Sequence, residues 1–107
     1  MEDRRQAKRI QTDLRILATN PGLNSHPRIT NLSATGAFIA TGQPLPNDSS
    51  FAFDMQLPDD SEKMTINARV VWTKAVSKAT SAGMGVMFTD ILDRHQQKLA
   101  DFVERNA

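Results

Sequence analysis

Two short polar motifs hold the residues of this chain whose types and spacing suit the binding of a ligand. Arg5 and Arg9 stand four positions apart, and Asn31, Ser33 and Gly36 follow in a second group that begins 22 positions after Arg9. Arginine presents a planar fork of donors that fits phosphate oxygens and the O6 and N7 acceptors of guanine. Asn and Ser add short neutral donors and acceptors, and Gly36 leaves room for a ligand over the loop. The residue types therefore predict a site for a small phosphorylated purine ligand.

The uneven distribution of charge predicts that an anionic ligand binds near the N-terminal end. The net charge is only +1, but residues 1–30 hold six Lys/Arg against three Asp/Glu, whereas the other 77 residues hold seven against nine. A general nucleic-acid binder is more often basic over a whole face. The favoured partner is therefore a small anion, and binding of nucleic acid is not expected.

Apolar residues alternate with polar ones in several short segments, as half-buried strands require. Groups of Asn, Pro, Gly and Asp separate these segments and predict turns. The expected strands cover residues 10–19, 28–33, 37–40, 51–57, 64–72 and 83–88. Five or six strands joined by short loops predict an all-β chain, a small six-stranded antiparallel β-barrel with a C-terminal helix over one opening.

The hydrophobic period changes near the C-terminus and predicts a helix over about 92–105. Asp93 is expected to cap this helix, with Gln96 three positions later. The residues that recur at helical spacing are Leu92, Gln96, Leu99, Phe102 and Val103.

Strand alternation also predicts which side chains face the ligand. If Leu32 enters the core, Asn31 and Ser33 share the outward face. Trp72, like the Phe and Met residues, falls on a strand-interior position and is expected in the core. Gly85 is expected on the outer face, where the missing side chain permits another group to approach.

The order and spacing of the two motifs resemble the PilZ domain family. Its RxxxR motif is filled by Arg5 and Arg9, and its (D/N)xSxxG motif is filled by Asn31, Ser33 and Gly36. The resemblance implies a six-stranded barrel with a C-terminal helix and a receptor site for the bacterial second messenger cyclic di-GMP.

The same resemblance implies a third arginine in the site. An arginine at the position of Arg4 is expected to favour two stacked ligand molecules per site. The site residues predicted from the sequence are thus Arg4, Arg5, Arg9, Asn31, Ser33 and Gly36.

The expected organisation is a flexible basic arm, residues 1–9, followed by the barrel and helix, residues 10–107. The spacing of Arg5 and Arg9 suits an extended arm, with α-carbons about 13 Å apart, and equally a helical turn, with about 6 Å. The arm is expected to fold onto the barrel when the ligand arrives, and the new surface to recruit a protein partner. The length leaves no room for an attached catalytic domain, so the family resemblance implies action in trans, on a motility, polysaccharide or developmental apparatus.

Other chemistry finds little support in the composition. The chain has no cysteine and no apolar run of the roughly 18 to 20 residues that span a bilayer, so a cytoplasmic protein is expected. His26 and His95 have no ligand partners at metal-binding spacing, and Asp59, Asp60 and Glu62 are expected to form a solvated loop. With no nucleophile placed beside a general base, neither catalysis nor a cofactor is predicted.

Two alternative functions are compatible with a small barrel. The first is a PilZ-like protein–protein interaction module of pilus or motility assembly that binds no nucleotide, although such relatives lack the arginine and Asn/Ser positions present here. The second is a binder of single-stranded nucleic acid, which requires exposed aromatic side chains for base stacking. Because the aromatic residues are expected to face inward, the second alternative is disfavoured.

Overall fold

The computed structural model describes residues 8–20, 27–42, 44–74 and 82–107. Within these ranges seven strands precede one helix: β1 (Ile10–Arg15), β2 (Ala18–Asn20), β3 (Arg28–Leu32), β4 (Gly36–Ala40), β5 (Ser50–Gln56), β6 (Lys63–Lys74), β7 (Gly83–Asp90) and α1 (Asp93–Asn106). In this part of the chain no helix is long and apolar enough to cross a membrane. The predicted class, all-β with a C-terminal helix, is confirmed, with seven strands rather than six.

The seventh strand arises because the first predicted strand forms two strands, β1 and β2, which pair with β3 and β5. The strand order is β1-β3-β4-β7-β6-β5-β2, so β1 and β2 lie at opposite edges. Only Ile16 and Leu17 separate them, and the Leu17 N–H already donates to the carbonyl of Asp54 in β5 at 2.8 Å. The sheet therefore curls into a half-barrel whose edges are bridged by this segment. The predicted strand over 10–19 is split because its two halves pair with different neighbours.

The inner face of the curled sheet and one face of α1 form a single apolar core. Strands β5 and β6 alternate strictly between buried and more exposed residues over most of their length, as their sequences predict. Leu99, Phe102 and Val103 of the helix join the same cluster, so α1 covers the core as expected. The largest fully buried side chains are Phe53, Ile29, Leu32, Ile39, Met55, Met64, Ile66, Met84 and Leu99.

The start of the helix differs from the prediction. The N-cap is Leu92, and it makes no side-chain capping bond; Asp93 is the first helical residue. The predicted Asp93 cap is therefore wrong, although a carboxylate in the first turn still favours the helix dipole. Leu92 is exposed, whereas His95 is buried, so the apolar stripe is rotated relative to the predicted one.

Ion pairs attach the outer side of α1 to the loop between β5 and β6. The pairs are Arg94–Glu62 at 2.8 Å, Lys98–Asp60 at 2.8 Å, Lys98–Glu62 at 2.7 Å and Arg105–Asp59 at 2.6 Å. Hydrogen bonds from Arg94, then from Lys98, hold the pKa of Glu62 far below its usual range. The expected solvated loop is thus a partner of the helix.

Candidate functional site

One residue from each predicted motif, Arg9 and Asn31, lies where the chain enters β1. Strand β1 pairs antiparallel with β3, with Ile10 opposite Leu32 and Gln11 opposite Asn31. Arg9 directly precedes β1, and its Nη1 donates to Oδ1 of Asn31 at 2.6 Å. A residue of the RxxxR motif therefore contacts a residue of the second motif through strand pairing.

Arg4 and Arg5 lie outside the described residues, so their predicted place in the site stays a prediction. The chain is described from Lys8 onward. The Lys8 Nζ lies 2.7 Å from Oε1 of Glu104 near the end of α1, while Arg9 contacts β3. The start of the barrel is thus connected to both the helix and the sheet.

Arg9 and Asn31 lie on the wall of a surface cleft of about 600 Å³. The remaining lining residues are Gln11, Thr12, Thr30, Phe38, Trp72 and Lys74. The described lining includes two cations and no carboxylate, so the cleft favours an anion.

The inward placement predicted for Trp72 is wrong. Its side chain is 47% exposed and lines the cleft. The register of the β6–β7 pairing shifts between Val70 and Trp72, and Val71 and Trp72 are both exposed beyond that point. An irregularity of this kind re-aims the side chains that follow it. The strict alternation used for the prediction therefore fails after Val70.

Phe38 and Trp72 form an aromatic surface, named here the ring floor, on the outer side of the sheet. Their ring centroids are 5.2 Å apart with planes inclined by 30°, and Lys74 Nζ lies 5.4 Å from the centre of the Phe38 ring. A Cβ atom at Gly85 would collide with the Trp72 ring, and one at Gly83 with the Phe38 ring. The two glycines of β7 therefore let the rings lie against the sheet. The two glycines, two positions apart on one strand, are the sequence signal from which the ring floor could have been predicted.

Ser33 does not share the outward face of Asn31, contrary to the prediction. It is only 2% exposed, because it follows the last residue of β3 and enters a turn. Its Oγ accepts from the backbone N–H of Gly36 at 3.1 Å and of Thr35 at 3.3 Å. The hydroxyl also donates to the Gly36 carbonyl at 3.2 Å. In the structure this side chain organises the β3–β4 turn.

Gly36 has a packing role in the sheet. It begins β4 and pairs with Met87 of β7. A Cβ atom at this position would lie 2.5 Å from the carbonyl oxygen of Val86, closer than real Cβ contacts come. The close approach of β7 is thus enough to require glycine, whereas the predicted clearance for a ligand stays a prediction.

The structure describes one of the two histidines, His95. His95 is buried, with Nε2 3.2 Å from Oε2 of Glu62, and His26 lies outside the described residues. No group of three or more His, Cys, Asp or Glu that could hold a metal ion occurs among the described residues.

The family model of the PilZ domain matches residues 3–105, and the chain therefore belongs to the PilZ domain family. A search of curated protein sequences returned no significant match. The family match agrees with the curled antiparallel sheet and the C-terminal helix.

Solved structures with the same fold include the Bacillus subtilis inhibitor of motility, MotI/DgrA, with 20% identity and a TM-score of 0.82. The match covers 97% of this chain and 51% of that protein, so the chain spans about half its length. The PilZ domain of Escherichia coli YcgR with c-di-GMP is similar over 97% of this chain and 92% of its own, at 12% identity and a TM-score of 0.70. YcgR in complex with c-di-GMP gives 13% identity, a TM-score of 0.73, and coverage of 96% and 46%.

Proposed function

We propose that this chain is a receptor for cyclic di-GMP, which binds in the cleft beside Arg9 and Asn31 and is held by Arg4 and Arg5 of the arm. The observation that carries the proposal is the 2.6 Å contact between Arg9 and Asn31, which joins one residue of each motif. Membership of the PilZ family supports it. So do the two YcgR structures, in which c-di-GMP is bound.

The charge and shape of the cleft suit the ligand. Cyclic di-GMP carries two anionic phosphodiesters and two guanine bases, so a receptor needs cations, donors and flat apolar surfaces. Arg9 and Lys74 supply positive charge, and Asn31 supplies an amide. The ring floor of Phe38 and Trp72 supplies a surface on which a base can stack, which is worth about 1 to 3 kcal/mol per base.

In this proposal Arg9 exchanges partners. Its guanidinium leaves the neutral Asn31 oxygen for a phosphate or a guanine edge, with which it makes a stronger charge-assisted pair. Asn31 then becomes free to pair with the ligand. Ser33 and Gly36 act by holding the turn that follows Asn31, and any direct contact of Ser33 with the ligand requires that turn to open.

Arg4 is proposed to bind a second ligand molecule in the same site. A third guanidinium beside the bases can stack on a guanine or bind another phosphate. The site then takes two stacked molecules, and ligand binding changes the surface that a protein partner meets. The proposed activity is binding and signalling in trans, with no catalytic step.

Isothermal titration calorimetry with cyclic di-GMP tests the proposal, with GTP and a linear diguanylate as controls. We expect saturable binding of the cyclic ligand and at least tenfold weaker binding in Arg5→Ala and in Arg9→Ala, about 1.4 kcal/mol. Arg105→Ala is the matched control, because this arginine pairs with Asp59 on the loop and does not line the cleft.

The outcomes separate the alternatives. Two ligands per chain at saturation support the stacked pair, and one per chain contradicts the role of Arg4. Absence of binding to the cyclic ligand would favour the interaction module that binds no nucleotide. Equal binding of single-stranded oligonucleotides would favour a nucleic-acid binder that uses the ring floor.

A further inference from the structure

The last residues of the arm are attached to two separate elements of the fold. Lys8 Nζ lies 2.7 Å from Oε1 of Glu104 in the last turns of α1, and the neighbouring Arg9 donates to Asn31 of β3 at 2.6 Å. Ile10 then begins β1 as a buried core residue. Because both contacts exist together, the Lys8 pair is compatible with Arg9 facing the cleft.

An attachment at Lys8 affects how the ligand is bound. A chain segment that must become ordered on binding loses conformational entropy, and this loss weakens the affinity. Holding the residue next to Arg9 removes part of that loss before the ligand arrives.

We propose that Glu104 is a positioning residue for ligand binding, because its ion pair with Lys8 holds the root of the arm and presents Arg9 to the cleft. The inference rests on the proposed function and extends the site to the C-terminal helix. By linkage, a ligand that orders the arm strengthens the Lys8–Glu104 contact in return. Ligand occupancy is thereby transmitted to the last turns of α1.

Simple electrostatics makes the opposite prediction for Glu104. Its carboxylate is negative, so its removal would leave an anion's affinity unchanged or slightly higher if long-range charge were its only effect. A positioning role requires the affinity to fall. The sign of the change therefore distinguishes the two roles.

The experiment is a calorimetric titration of Glu104→Gln with cyclic di-GMP. We expect a three- to fivefold higher Kd, the range appropriate to an exposed ion pair. Asp101→Asn, which removes an exposed carboxylate one turn earlier on the same helix, is the control and should bind as the unmodified chain does. The exchanged pair Lys8→Glu with Glu104→Lys should return the Kd to within about twofold.

A second measurement does not depend on the ligand. In the free protein, heteronuclear NOE values at the Lys8 and Arg9 amides should fall in Glu104→Gln and remain unchanged in Asp101→Asn. Unchanged NOE values would overturn the attachment even if cyclic di-GMP binds. Lower NOE values with an equal or lower Kd would overturn the positioning role, whereas failure of the unmodified chain to bind would overturn the proposed function and leave the attachment intact.

Discussion

The two halves of the segment from Asn31 to Gly36 have different tasks. Asn31 lies on the cleft wall and contacts Arg9, while Ser33 is buried and its hydroxyl bonds the backbone of Thr35 and Gly36. Gly36 permits β7 to approach. The first half of the motif thus faces the proposed ligand, and the second half builds the turn that holds it there.

The difference has an energetic consequence. A contact made in water, such as Arg9 with Asn31, contributes little to folding, because water replaces it readily when it breaks. A buried hydroxyl that satisfies backbone N–H groups is costly to remove, because those groups then lack partners. Substitutions in the first half should change affinity, and substitutions in the second half should change stability.

The largest effect is expected for Gly36→Val. The new side chain would collide with the Val86 carbonyl, so the free energy of unfolding should fall by about 3 kcal/mol. Chemical denaturation measures this change. Gly42→Val is the matched control, because a Cβ atom there meets nothing within 4 Å. Normal stability with lost ligand affinity would instead assign Gly36 to the ligand.

Ser33→Ala should lower the free energy of unfolding by about 2 kcal/mol, since the backbone N–H groups of the turn lose a buried acceptor. The exposed Ser61→Ala on the β5–β6 loop should show no comparable loss. Denaturation curves of both variants provide the comparison. If Ser33→Ala is fully stable and binds ligand weakly, the division between the two halves is wrong.

Trp72→Ala tests the ring floor. Loss of base stacking should weaken cyclic di-GMP binding by about 1.5 kcal/mol, somewhat more than tenfold. Because Trp72 is 47% exposed, the stability loss should stay well below the roughly 3 to 5 kcal/mol of a buried tryptophan. Titration and thermal unfolding of the same variant separate these effects, and a large stability loss would place the ring in the core.

Asn31→Ala should weaken ligand binding by about 1 kcal/mol, close to fivefold, since one neutral hydrogen-bonding group is removed. Its unfolding free energy should change by no more than about 0.5 kcal/mol. Calorimetry and denaturation on one preparation give both values. A stability loss as large as that of Ser33→Ala would contradict the proposed difference between the two halves of the motif.

Acidification should act on α1 rather than on either half of the motif. Arg94 and then Lys98 lower the pKa of Glu62 from its ordinary 4.5, and Lys98 lowers that of Asp60. A carboxyl with a lowered pKa stabilises the fold above its ordinary pKa and loses this contribution as the pH falls. Circular dichroism should therefore show α1 loosening below about pH 4.5, and less steeply so in Glu62→Gln. Earlier loss of amide protection at Thr35 and Gly36 would contradict this order.

Much of the fold was predictable from local patterns. Strands β3 to β7 lie where alternation and turn residues predict them, and α1 begins and ends within a residue of the predicted range. The split of the first strand was not predictable, because it depends on which neighbours its two halves pair with. Trp72 was misplaced for a related reason: the register shift after Val70 is a property of the β6–β7 pairing.

The candidate site was predictable only in part. The two motifs predict that Arg9 and Asn31 belong to one ligand site, and in the structure these two side chains are in contact. The motif spacing cannot show that Ser33 turns inward or that the ring floor lies beside them. Both depend on groups that the fold brings from other strands.

The sequence by itself determined the strand and helix periods, the family and the residue types available for binding an anion, because these are properties of short segments. Only the tertiary structure decided which polar side chains face the cleft, that two aromatic rings lie over glycines of β7, and that Lys8 meets Glu104. These contacts join residues far apart in the chain, so they exist only after strand register and helix docking have set their distances.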